Sequence, residues 1–338
     1  MKLPADTVAR LRPFYEGREV CVTGGAGFIG GHLCDALLSL GASVRVIDDL
    51  SNSTLQHLAT LIEFEPDRIR FIHASVLDDD ALRDACQGVK SVFHLAALGS
   101  VPRSLEQPQR TWSVNATGTL RVLEAARAAK AQRVVFAASS SAYGDQPQLP
   151  KVETQLPRPM SPYAASKVAA EHLLSVWAHC YGLSTVSLRY FNVFGPRQNP
   201  DSAYAAVIPA FAKSLLGGEA PVVYGDGSQT RDFTFVSNAV LATLLAGATD
   251  ARLTGQVVNV ATGVGTGVND LAGSLARLCG VPHVQPVHRA ERAGDVRHSV
   301  ADVTQARELL GYQPLVSLDE GLRETVAWYK RSLAGQRA

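Results

Sequence analysis

The chain has 338 residues, of which 46% are hydrophobic and 19% charged, which is enough apolar material for one large or two modest globular domains. Its 32 basic and 31 acidic residues nearly cancel, so the composition predicts no nucleic-acid or membrane-surface partner. No apolar run is long enough to span a membrane, and the N-terminal segment lacks the apolar core of a secretory signal, so we expect a cytoplasmic protein.

Cysteine and histidine usage predicts neither a disulfide framework nor a metal site. The five cysteines, at positions 21, 34, 86, 180 and 279, are scattered and show no CxxC spacing. This pattern is typical of free, buried thiols in a reducing compartment. The histidines at positions 283, 288 and 298 have no metal-ligand spacing either.

Apolar runs of strand length alternate with helical patterns through the first part of the chain. Strands are predicted at 19–24, 43–48, 68–75, 91–97 and 133–140, and helices after the first strand, at 79–87 and at 116–130. Such alternation predicts a parallel sheet covered by helices on both faces, which is a doubly wound α/β fold of Rossmann type.

The pattern changes after about residue 190, where a loop-like stretch begins. Residues 222–236 are predicted as two short strands around a turn, with helices at 237–248 and 267–279 and a strand at 257–263. We therefore expect a large domain of residues 1–190, rejoined by about 236–263. A smaller α+β domain for substrate would combine residues 191–235 and 264–338.

A glycine-rich turn follows the first predicted strand. Gly24, Gly27 and Gly30 have GxxGxxG spacing and open a helix, so the backbone there can approach a pyrophosphate at the helix N-terminus. Asp48 ends the second strand, 24 residues after Gly24, where a carboxylate accepts hydrogen bonds from ribose hydroxyls and repels a 2′-phosphate. The sequence therefore predicts a dinucleotide site that prefers NAD to NADP.

Three polar residues after Asp48 could reach the adenosine end of the cofactor. They are Asp49, Asn52 and Ser53. Asp49 could equally be an exposed acid of the loop.

A tyrosine and a lysine lie one helical turn apart in the segment SPYAASK. Ser161 is a plausible N-cap and Pro162 suits the first turn of a helix, so Tyr163 and Lys167 share one helix face. A phenol near pKa 10 is a poor base at neutral pH, and a neighbouring ammonium is expected to lower that pKa. The pair is typical of a proton-transfer site, and the alternative is an ordinary surface helix.

Together these segments resemble the extended short-chain dehydrogenase/reductases that act on nucleotide sugars, over residues 19 to about 330. The matching segments are TGGAGFIG, DDLSNS, HLAA, NATGT, SSSAYG, YAASK, LRYFNVFGP, RDF and RAGDVRHSVADVTQARELLGYQP. The closest likeness is to bacterial UDP-N-acetylglucosamine 4-epimerases, in HLAALGSVPRS, SSSAYGDQPQLPKVE, NPDSAYAAVIP and GDVRHS.

The resemblance implies catalytic roles for three residues. Tyr163 would be the base for the sugar 4-hydroxyl, and Lys167 would hold the nicotinamide ribose and tune the phenol. Ser139 falls where the family keeps a Ser or Thr bonded to the same hydroxyl. Ser140 or Ser141 could take that part if the strand end is bulged.

The motifs also imply the remaining contacts. Expected cofactor contacts are Gly24, Gly27, Phe28, Ile29, Gly30, Asp48, Asp49, Asn52, Ser53, Ser75, Val76, Leu95, Ala96, Ala97, Asn115, Tyr163, Lys167 and Tyr190. Expected substrate contacts are Ser100, Ser139, Ser140, Ser141, Asn192, Ala206, Val207, Tyr224, Arg231, Arg292, Asp295 and Ser299.

Two arginines and an aspartate stand out in the substrate set. Arg231 and Arg292 would clamp the diphosphate, and Asp295 would meet the uridine ribose. Arg231 could instead be an exposed turn arginine. One departure from the family is the pair at 75–76, Ser-Val, where an Asp followed by a hydrophobic residue usually faces the adenine.

The two serines that follow Ser139 indicate which of the family's reactions to expect. Family members that eliminate water typically carry Asp-Glu directly after the catalytic hydroxyl, whereas this chain has Ser140 and Ser141. Because hydroxyls cannot act as acid and base near neutral pH, the resemblance favours transient oxidation at C4 to a 4-keto sugar, followed by reduction on the other face. That is a 4-epimerase with tightly bound NAD.

The expected choice of substrate depends on one position of the predicted pocket. Ser299 aligns with a pocket position that is bulky in enzymes confined to unacetylated hexoses, which favours UDP-GlcNAc and UDP-GalNAc over UDP-glucose and UDP-galactose. A UDP-glucuronate 4-epimerase, a 2-epimerase and a non-catalytic dinucleotide-binding member remain alternatives.

The family commonly dimerises through a four-helix bundle, and four apolar residues suit that bundle or a monomer core. They are Leu120, Leu123, Leu173 and Val176.

Overall fold

The structure is a computed structural model, and it describes residues 3–200, 206–291 and 296–337. The helices are α1 (Ala5–Tyr15), α2 (Phe28–Ser39), α3 (Gln56–Phe64), α4 (Asp79–Cys86), α5 (Val101–Glu106), α6 (Pro108–Trp112), α7 (Gly118–Ala128), α8 (Pro162–Tyr181), α9 (Val207–Leu216), α10 (Val236–Ala248), α11 (Val268–Cys279), α12 (Thr304–Leu310) and α13 (Leu318–Arg337). A π-helical turn covers Ser113–Thr117, and a 3₁₀ turn covers Ser140–Tyr143.

The strands are β1 (Glu19–Thr23), β2 (Ser43–Asp48), β3 (Ile69–His73), β4 (Ser91–His94), β5 (Arg133–Ser139), β6 (Ser184–Tyr190), β7 (Val193–Phe194), β8 (Val222–Tyr224), β9 (Thr230–Asp232), β10 (Thr234–Phe235), β11 (Thr254–Val260), β12 (Gly265–Gly267), β13 (Val287–Arg289) and β14 (His298–Ser299). The five strands predicted in the first part of the chain correspond to β1 to β5.

Seven of these strands form one parallel sheet in the order β11-β6-β5-β4-β1-β2-β3. The chain builds outwards from β1 to β3, then returns to β4 on the other side of β1 and continues to β11. This confirms the predicted doubly wound α/β fold. The reversal creates a crevice at the carboxyl ends of β1 and β4, which is where such sheets bind ligands.

The central strands are apolar on both faces because helices cover both. In β5, Val135 and Ala137 pack into one core, and Phe136 and Ala138 pack into the other. Helices α1, α2 and α10 cover the first face, and α4, α7 and α8 cover the second. Helix α1 was not predicted from the sequence; its Tyr15 hydroxyl donates to the Leu244 carbonyl oxygen of α10 at 2.6 Å.

The second part of the chain forms small sheets from very short strands. Strand β9 pairs with β12 antiparallel and with β14 parallel, and β8 pairs with β13. The two short strands predicted within 222–236 are present as β8 and β9, but they belong to different sheets and do not pair with each other. The loop between them contains Gly225 and Gly227 at φ 77° and 76°, and it directs each strand towards partners distant in sequence.

Two findings concern the cysteines and membrane insertion. The thiols at 21, 34 and 86 are buried as expected, but Cys180, in the last turn of α8, is exposed. Within the described ranges, no helix combines the length and apolarity that crossing a bilayer requires.

Candidate active site

The glycine loop joins the ends of β1 and β4 at the crevice. Gly24 has φ 71°, and a Cβ atom there would lie 2.6 Å from the Ala96 nitrogen. A Cβ atom at Gly30 would lie 2.1 Å from the Gly24 carbonyl oxygen. Both positions therefore require glycine, and the loop leaves bare backbone at the N-terminus of α2, which fits a pyrophosphate.

Asp48 connects this loop to the residues that follow β2. Its Oδ2 accepts from the Ala26 N–H at 3.0 Å, while its Oδ1 accepts from the Leu50 N–H at 2.9 Å and the Ser53 hydroxyl at 3.1 Å. The carboxylate is 9% exposed and lines the crevice. Its oxygens retain capacity to accept hydrogen bonds from a ribose.

A cleft of about 1360 Å³ runs along the carboxyl ends of the strands. Most of the predicted cofactor contacts line it, namely Gly24, Gly27, Phe28, Ile29, Gly30, Asp48, Asp49, Asn52, Ser53, Ser75, Val76, Leu95, Ala96 and Ala97. Ser100, predicted as a substrate contact, also lines it. These fifteen residues, from four separate segments of the chain, thus converge on one elongated space that fits a dinucleotide.

A chain of buried hydrogen bonds connects β1 to the π-helical turn. The Thr119 hydroxyl donates to the Asn115 carbonyl oxygen at 2.6 Å, so it accepts from His94 Nε2–H at 2.9 Å. His94 Nδ1 then accepts from the Thr23 hydroxyl at 2.7 Å. Burial, together with the Lys167 charge, lowers the pKa of His94 to about 3, so the imidazole is neutral. His94 is therefore a core residue.

The Asn115 side chain continues this chain of hydrogen bonds to the predicted catalytic helix. Its Oδ1 accepts from the Leu98 N–H at 2.8 Å, and its Nδ2 donates to the Ser166 hydroxyl oxygen at 3.0 Å. Ser166 in turn donates to the Tyr163 carbonyl oxygen at 2.7 Å. The end of β1 and the backbone of Tyr163 are therefore held in a fixed relation.

Helix α8 begins as predicted and places Tyr163 beside Ser139. The Ser161 hydroxyl accepts from the Ala164 N–H at 3.1 Å and caps the helix. Burial raises the pKa of Tyr163, and a hydrogen bond with Ser139 opposes that rise. The expectation that Lys167 would lower this pKa is not met, because its Nζ lies 6.0 Å from the Tyr163 ring centroid and burial dominates.

Lys167 lies behind the floor of the cleft. Its Nζ donates to the Ala137 carbonyl oxygen at 2.8 Å and lies 4.6 Å from the centroid of the Phe136 ring. The residue is 3% exposed, and burial lowers the pKa of its ammonium to about 7, although Glu171 opposes this. Because Ala137 itself lines the cleft, the ammonium lies one carbonyl away from it.

The three serines adopt different conformations. Ser139 is the last residue of β5, and its hydroxyl oxygen accepts from the Ser141 N–H at 3.2 Å and from the Ser141 hydroxyl at 2.8 Å. Ser140 begins the 3₁₀ turn. Ser139 and Ser141 thus form a hydroxyl pair at the strand end, and Ser139 is the member that interacts with Tyr163.

Tyr190 is placed differently from the other predicted cofactor contacts. Its hydroxyl pairs with Thr243 at 2.7 Å, and Thr243 donates its own proton to the Ala239 carbonyl oxygen, so Tyr190 is the donor. The ring packs in the core beside α10. Its hydroxyl is thus used within the fold, and the cofactor contact at this position stays a prediction.

A second cavity, of about 330 Å³, gathers predicted substrate contacts from β8, β9 and α9. Its lining includes Asn192, Ala206, Val207, Tyr224 and Arg231. Ser299 is 8% exposed and lies opposite Arg231 in the pairing of β14 with β9. Arg292 and Asp295, also predicted to contact substrate, lie outside the described residues.

Sequence reasoning missed the buried carboxylate next to Arg231. Asp232 accepts from the Thr262 N–H at 2.9 Å, the Thr262 hydroxyl at 2.7 Å, the Gly263 N–H at 2.8 Å and the Ala301 N–H at 3.3 Å. It therefore holds together three segments that meet only in the folded chain. Since side chains alternate along a strand, Asp232 anchors β9 while Arg231 faces the other way.

Residues far along the chain also complete the wall of the cleft. They include Arg103, Arg197, Gln198, Trp328 and Tyr329. No periodicity or motif spacing marks them, because they come from three distant places, namely α5, the loop at 197–198 and α13. Arg197, in the segment FGPRQN, is a charged residue to which the sequence alone assigned no role.

A glycine loop at the reversal of a parallel sheet, with a Ser-Tyr-Lys set beside it, defines a dinucleotide-dependent enzyme of the short-chain dehydrogenase/reductase type. The sequence profile of the NAD dependent epimerase/dehydratase family matches residues 20–261. The chain belongs to this family, and its cofactor is NAD.

Individual relatives differ in their reactions. A UDP-glucose 4-epimerase of Mycolicibacterium smegmatis is 40% identical over 91% of this chain and 97% of its own length. A UDP-N-acetylglucosamine 4-epimerase of Methanobrevibacter ruminantium, in complex with UDP-N-acetylmuramic acid, superposes with a TM-score of 0.87 at 38% identity, over 94% of this chain and 99% of its own. A dTDP-glucose 4,6-dehydratase of Streptomyces venezuelae with NAD bound gives 0.86 at 30% identity, over 94% and 98%. Taken together, the relatives support UDP-sugar 4-epimerisation as the activity of this chain, and they do not determine which UDP-sugar it uses.

Proposed function

We propose that this NAD-dependent UDP-sugar 4-epimerase interconverts UDP-N-acetylglucosamine and UDP-N-acetylgalactosamine. The observation that carries the reaction is the arrangement at the end of β5, where Ser139 interacts with Tyr163 and Lys167 lies behind the cleft floor. The observation that favours the acetylated substrate is the small Ser299 beside Arg231.

Each catalytic residue has a role that its position supports. The chemistry supplied by bound NAD⁺ is reversible two-electron oxidation of the sugar at C4. Tyr163 takes the proton of the 4-hydroxyl and later returns it, while Ser139 holds that hydroxyl by a hydrogen bond. The Lys167 ammonium, which here donates to the Ala137 carbonyl oxygen, can release that carbonyl to bond the nicotinamide ribose.

Burial of Tyr163 bears directly on this assignment. Without a positive charge close to the phenol oxygen, burial disfavours the phenolate form, as the raised pKa of Tyr163 indicates. A positively charged nicotinamide bound in the cleft would favour the phenolate of Tyr163, so we expect the base to form only in the cofactor-loaded site. This ties deprotonation of the sugar to the presence of the oxidised cofactor.

Dehydration is disfavoured by the residues after Ser139. Elimination of water needs an acid for the leaving hydroxyl and a base at C5. Here Ser140 and Ser141 occupy the positions where the family's dehydratases carry Asp-Glu. Ser141 is moreover bonded to Ser139, so both hydroxyls are arranged to orient a substrate oxygen and not to ionise.

The second cavity suits the UDP group. Arg231 lines it, and guanidinium geometry matches a diphosphate. Its Nη1 also donates to the Thr230 and Arg297 carbonyl oxygens, at 3.0 and 3.1 Å, which fixes the side chain. We propose that Asn192 and Arg231 bind the diphosphate, with Arg292 and Asp295 completing the uridine site. We likewise propose that 191–235 and 264–338 form the substrate domain.

The homodimer inferred from the resemblance stays a prediction. Leu123 is completely buried in the core beneath α7, and Leu120 and Leu173 pack partly against that core. Val176 is 47% exposed and is therefore, of the four, the residue most open to cover by a partner subunit.

Substitution at position 299 tests the substrate. We expect Ser299→Tyr to lower kcat/KM for UDP-N-acetylglucosamine by about 10–200-fold, while UDP-glucose turnover changes little, because the ring would fill the space for the N-acetyl group. Ser299→Ala is the matched control and should retain both activities. NMR of the product at C4 would measure each conversion.

Two outcomes would defeat the proposal. Turnover of UDP-glucuronate without turnover of UDP-N-acetylglucosamine would assign the wild-type enzyme to another substrate. Equal loss of both hexose activities in Ser299→Tyr would show that position 299 does not discriminate the 2-acetamido group.

A further inference from the structure

We propose that Arg197 binds the pyrophosphate of NAD from the side opposite the glycine loop and thereby retains the cofactor in the enzyme. The inference rests on NAD being the resident cofactor and does not depend on which UDP-sugar is the substrate. It adds a residue from the second part of the chain to a site otherwise built on β1 and α2.

The segment that carries Arg197 is fixed against the start of α2. His32, in the second turn of α2, donates from Nε2–H to the Pro196 carbonyl oxygen at 3.0 Å. On the far side, the Tyr329 hydroxyl of α13 donates to the Gln198 carbonyl oxygen at 2.7 Å. Residues 196–198 are therefore held on both sides, and Arg197 lies between the two anchors.

The Arg197 side chain is placed in the cofactor cleft. It lines the same cleft as Gly27, Phe28 and Ile29, which form the phosphate-binding end of the glycine loop. Its Nη1 is buried and has no hydrogen-bond partner among the described residues. A buried guanidinium nitrogen without an acceptor is costly unless an anion completes it, and a pyrophosphate supplies acceptors of suitable geometry.

The backbone at this position is also unusual. Arg197 has φ 69°, in the left-handed region that non-glycine residues rarely adopt. Such a conformation persists only where the surroundings hold it, and here His32 and Tyr329 provide the hold. The chain thus directs a long cation into the cleft at some conformational cost.

The charges of the cleft show why a cation is needed there. Between residues 24 and 39 the sequence contains no Lys or Arg, so the glycine loop and α2 offer the pyrophosphate only backbone N–H groups and a partial helix charge of about +0.5. Burial lowers the pKa of His32 to about 4, so it is neutral. Asp35 and Asp48 also line the cleft, which makes its charge unfavourable for an anion without Arg197.

Among the residues that the structure describes, one other arginine lines the cleft, and it is placed differently. Arg103 donates to the Asn52 side-chain oxygen, in the segment after β2 where the adenosine ribose is expected. Arg197, whose backbone adjoins His32, is the cation next to the first turns of α2. We therefore assign the pyrophosphate contact to Arg197.

The test compares Arg197→Gln and Arg197→Lys with the wild-type enzyme, and uses Arg83→Gln as control, because Arg83 is exposed and outside the cleft. NAD retained through purification would be quantified after denaturation. Calorimetry on protein stripped of cofactor would give dissociation constants for NAD, ADP-ribose and adenosine at low and high NaCl. Circular dichroism and melting would verify that each variant is folded.

We expect Arg197→Gln to lose copurified NAD and to bind NAD and ADP-ribose about 10–100-fold more weakly, with adenosine affinity unchanged. The difference from wild type should shrink at high NaCl, and Arg197→Lys should recover part of the affinity. Equal NAD affinity of folded wild type and Arg197→Gln would overturn the inference, as would equal losses for adenosine and ADP-ribose. Failure of the wild type itself to bind NAD would instead contradict the cofactor assignment.

Discussion

The cofactor half and the substrate half of the site are built by different means. The cofactor half, at the carboxyl ends of β1, β2, β4 and β5, grows from long parallel strands whose neighbours pair over four to seven residues. The substrate half, around β8, β9 and β14, rests on strands of two or three residues that pair with distant segments.

This difference determines what holds each half in place. In the cofactor half, glycine contacts and the chain of hydrogen bonds through His94 and Asn115 are supported by a continuous sheet. In the substrate half, one buried carboxylate, Asp232, joins three segments and supplements the short pairings of β9 with β12 and β14. We infer that the first half is rigid before ligand binds, and that the second relies on short strand pairings reinforced by Asp232.

The largest expected effect is on chemistry in the cofactor half. Tyr163→Phe removes the proton acceptor but leaves the ring, so turnover should fall by about 10²–10⁴-fold while NAD affinity changes little. Steady-state assays and cofactor titration of the same preparation would measure both quantities.

Tyr181→Phe is the matched control for this substitution. It lies on the same helix, at the exposed end, and should leave turnover unchanged. If Tyr163→Phe retained wild-type turnover, another group would be the base, and the role assigned to the cofactor half would be wrong.

The same contrast explains how much the sequence could predict. The glycine loop, Asp48 and the Tyr-Lys pair were predictable because each pattern is local to one strand–helix unit, and the sheet followed from the alternation of strands and helices. Asp232 was not, because its partners lie 30, 31 and 69 residues away. The direction of the Tyr163 pKa was mispredicted because burial cannot be read from helical spacing.

The substrate half is tested by Asp232→Asn, which replaces an acceptor-only group by one that directs N–H towards backbone N–H groups. We expect loss of about 1–3 kcal/mol of local stability and a KM for the UDP-sugar raised by about tenfold, because β9 carries Arg231. NAD affinity should stay near the wild-type value. Steady-state kinetics and cofactor titration would measure the two effects separately.

Asp270→Asn is the control, since Asp270 is exposed at the start of α11 in the same half. A variant at 232 with unchanged KM would show that other contacts suffice to hold β9. Equal weakening of NAD and UDP-sugar binding would instead mean that the two halves are not independent.

The smallest expected effect concerns the charge buried in the cofactor half. The pKa of Lys167, about 7 in the folded chain, is lower than that of a free lysine because burial disfavours the ammonium. Below pH 7 both folded and unfolded chains carry the proton, and the folded state bears the full desolvation penalty. As pH rises towards 10.5, only the unfolded chain keeps the proton over most of the range, so the penalty decreases.

Lys167→Met removes this dependence. We therefore expect NAD-free Lys167→Met to be more stable than wild type at pH 7, with the difference reduced by about 2 kcal/mol at about pH 9, as measured by denaturant unfolding. Lys90→Met, at an exposed lysine, should show no such trend, and pH effects shared by all variants cancel in the comparison. A stability difference that stays constant with pH would mean that Lys167 remains charged throughout. The folded cofactor half would then hold a charged Lys167 at every pH tested, even without NAD. The rigidity of this half would then depend on the packing around Lys167 as well as on the sheet.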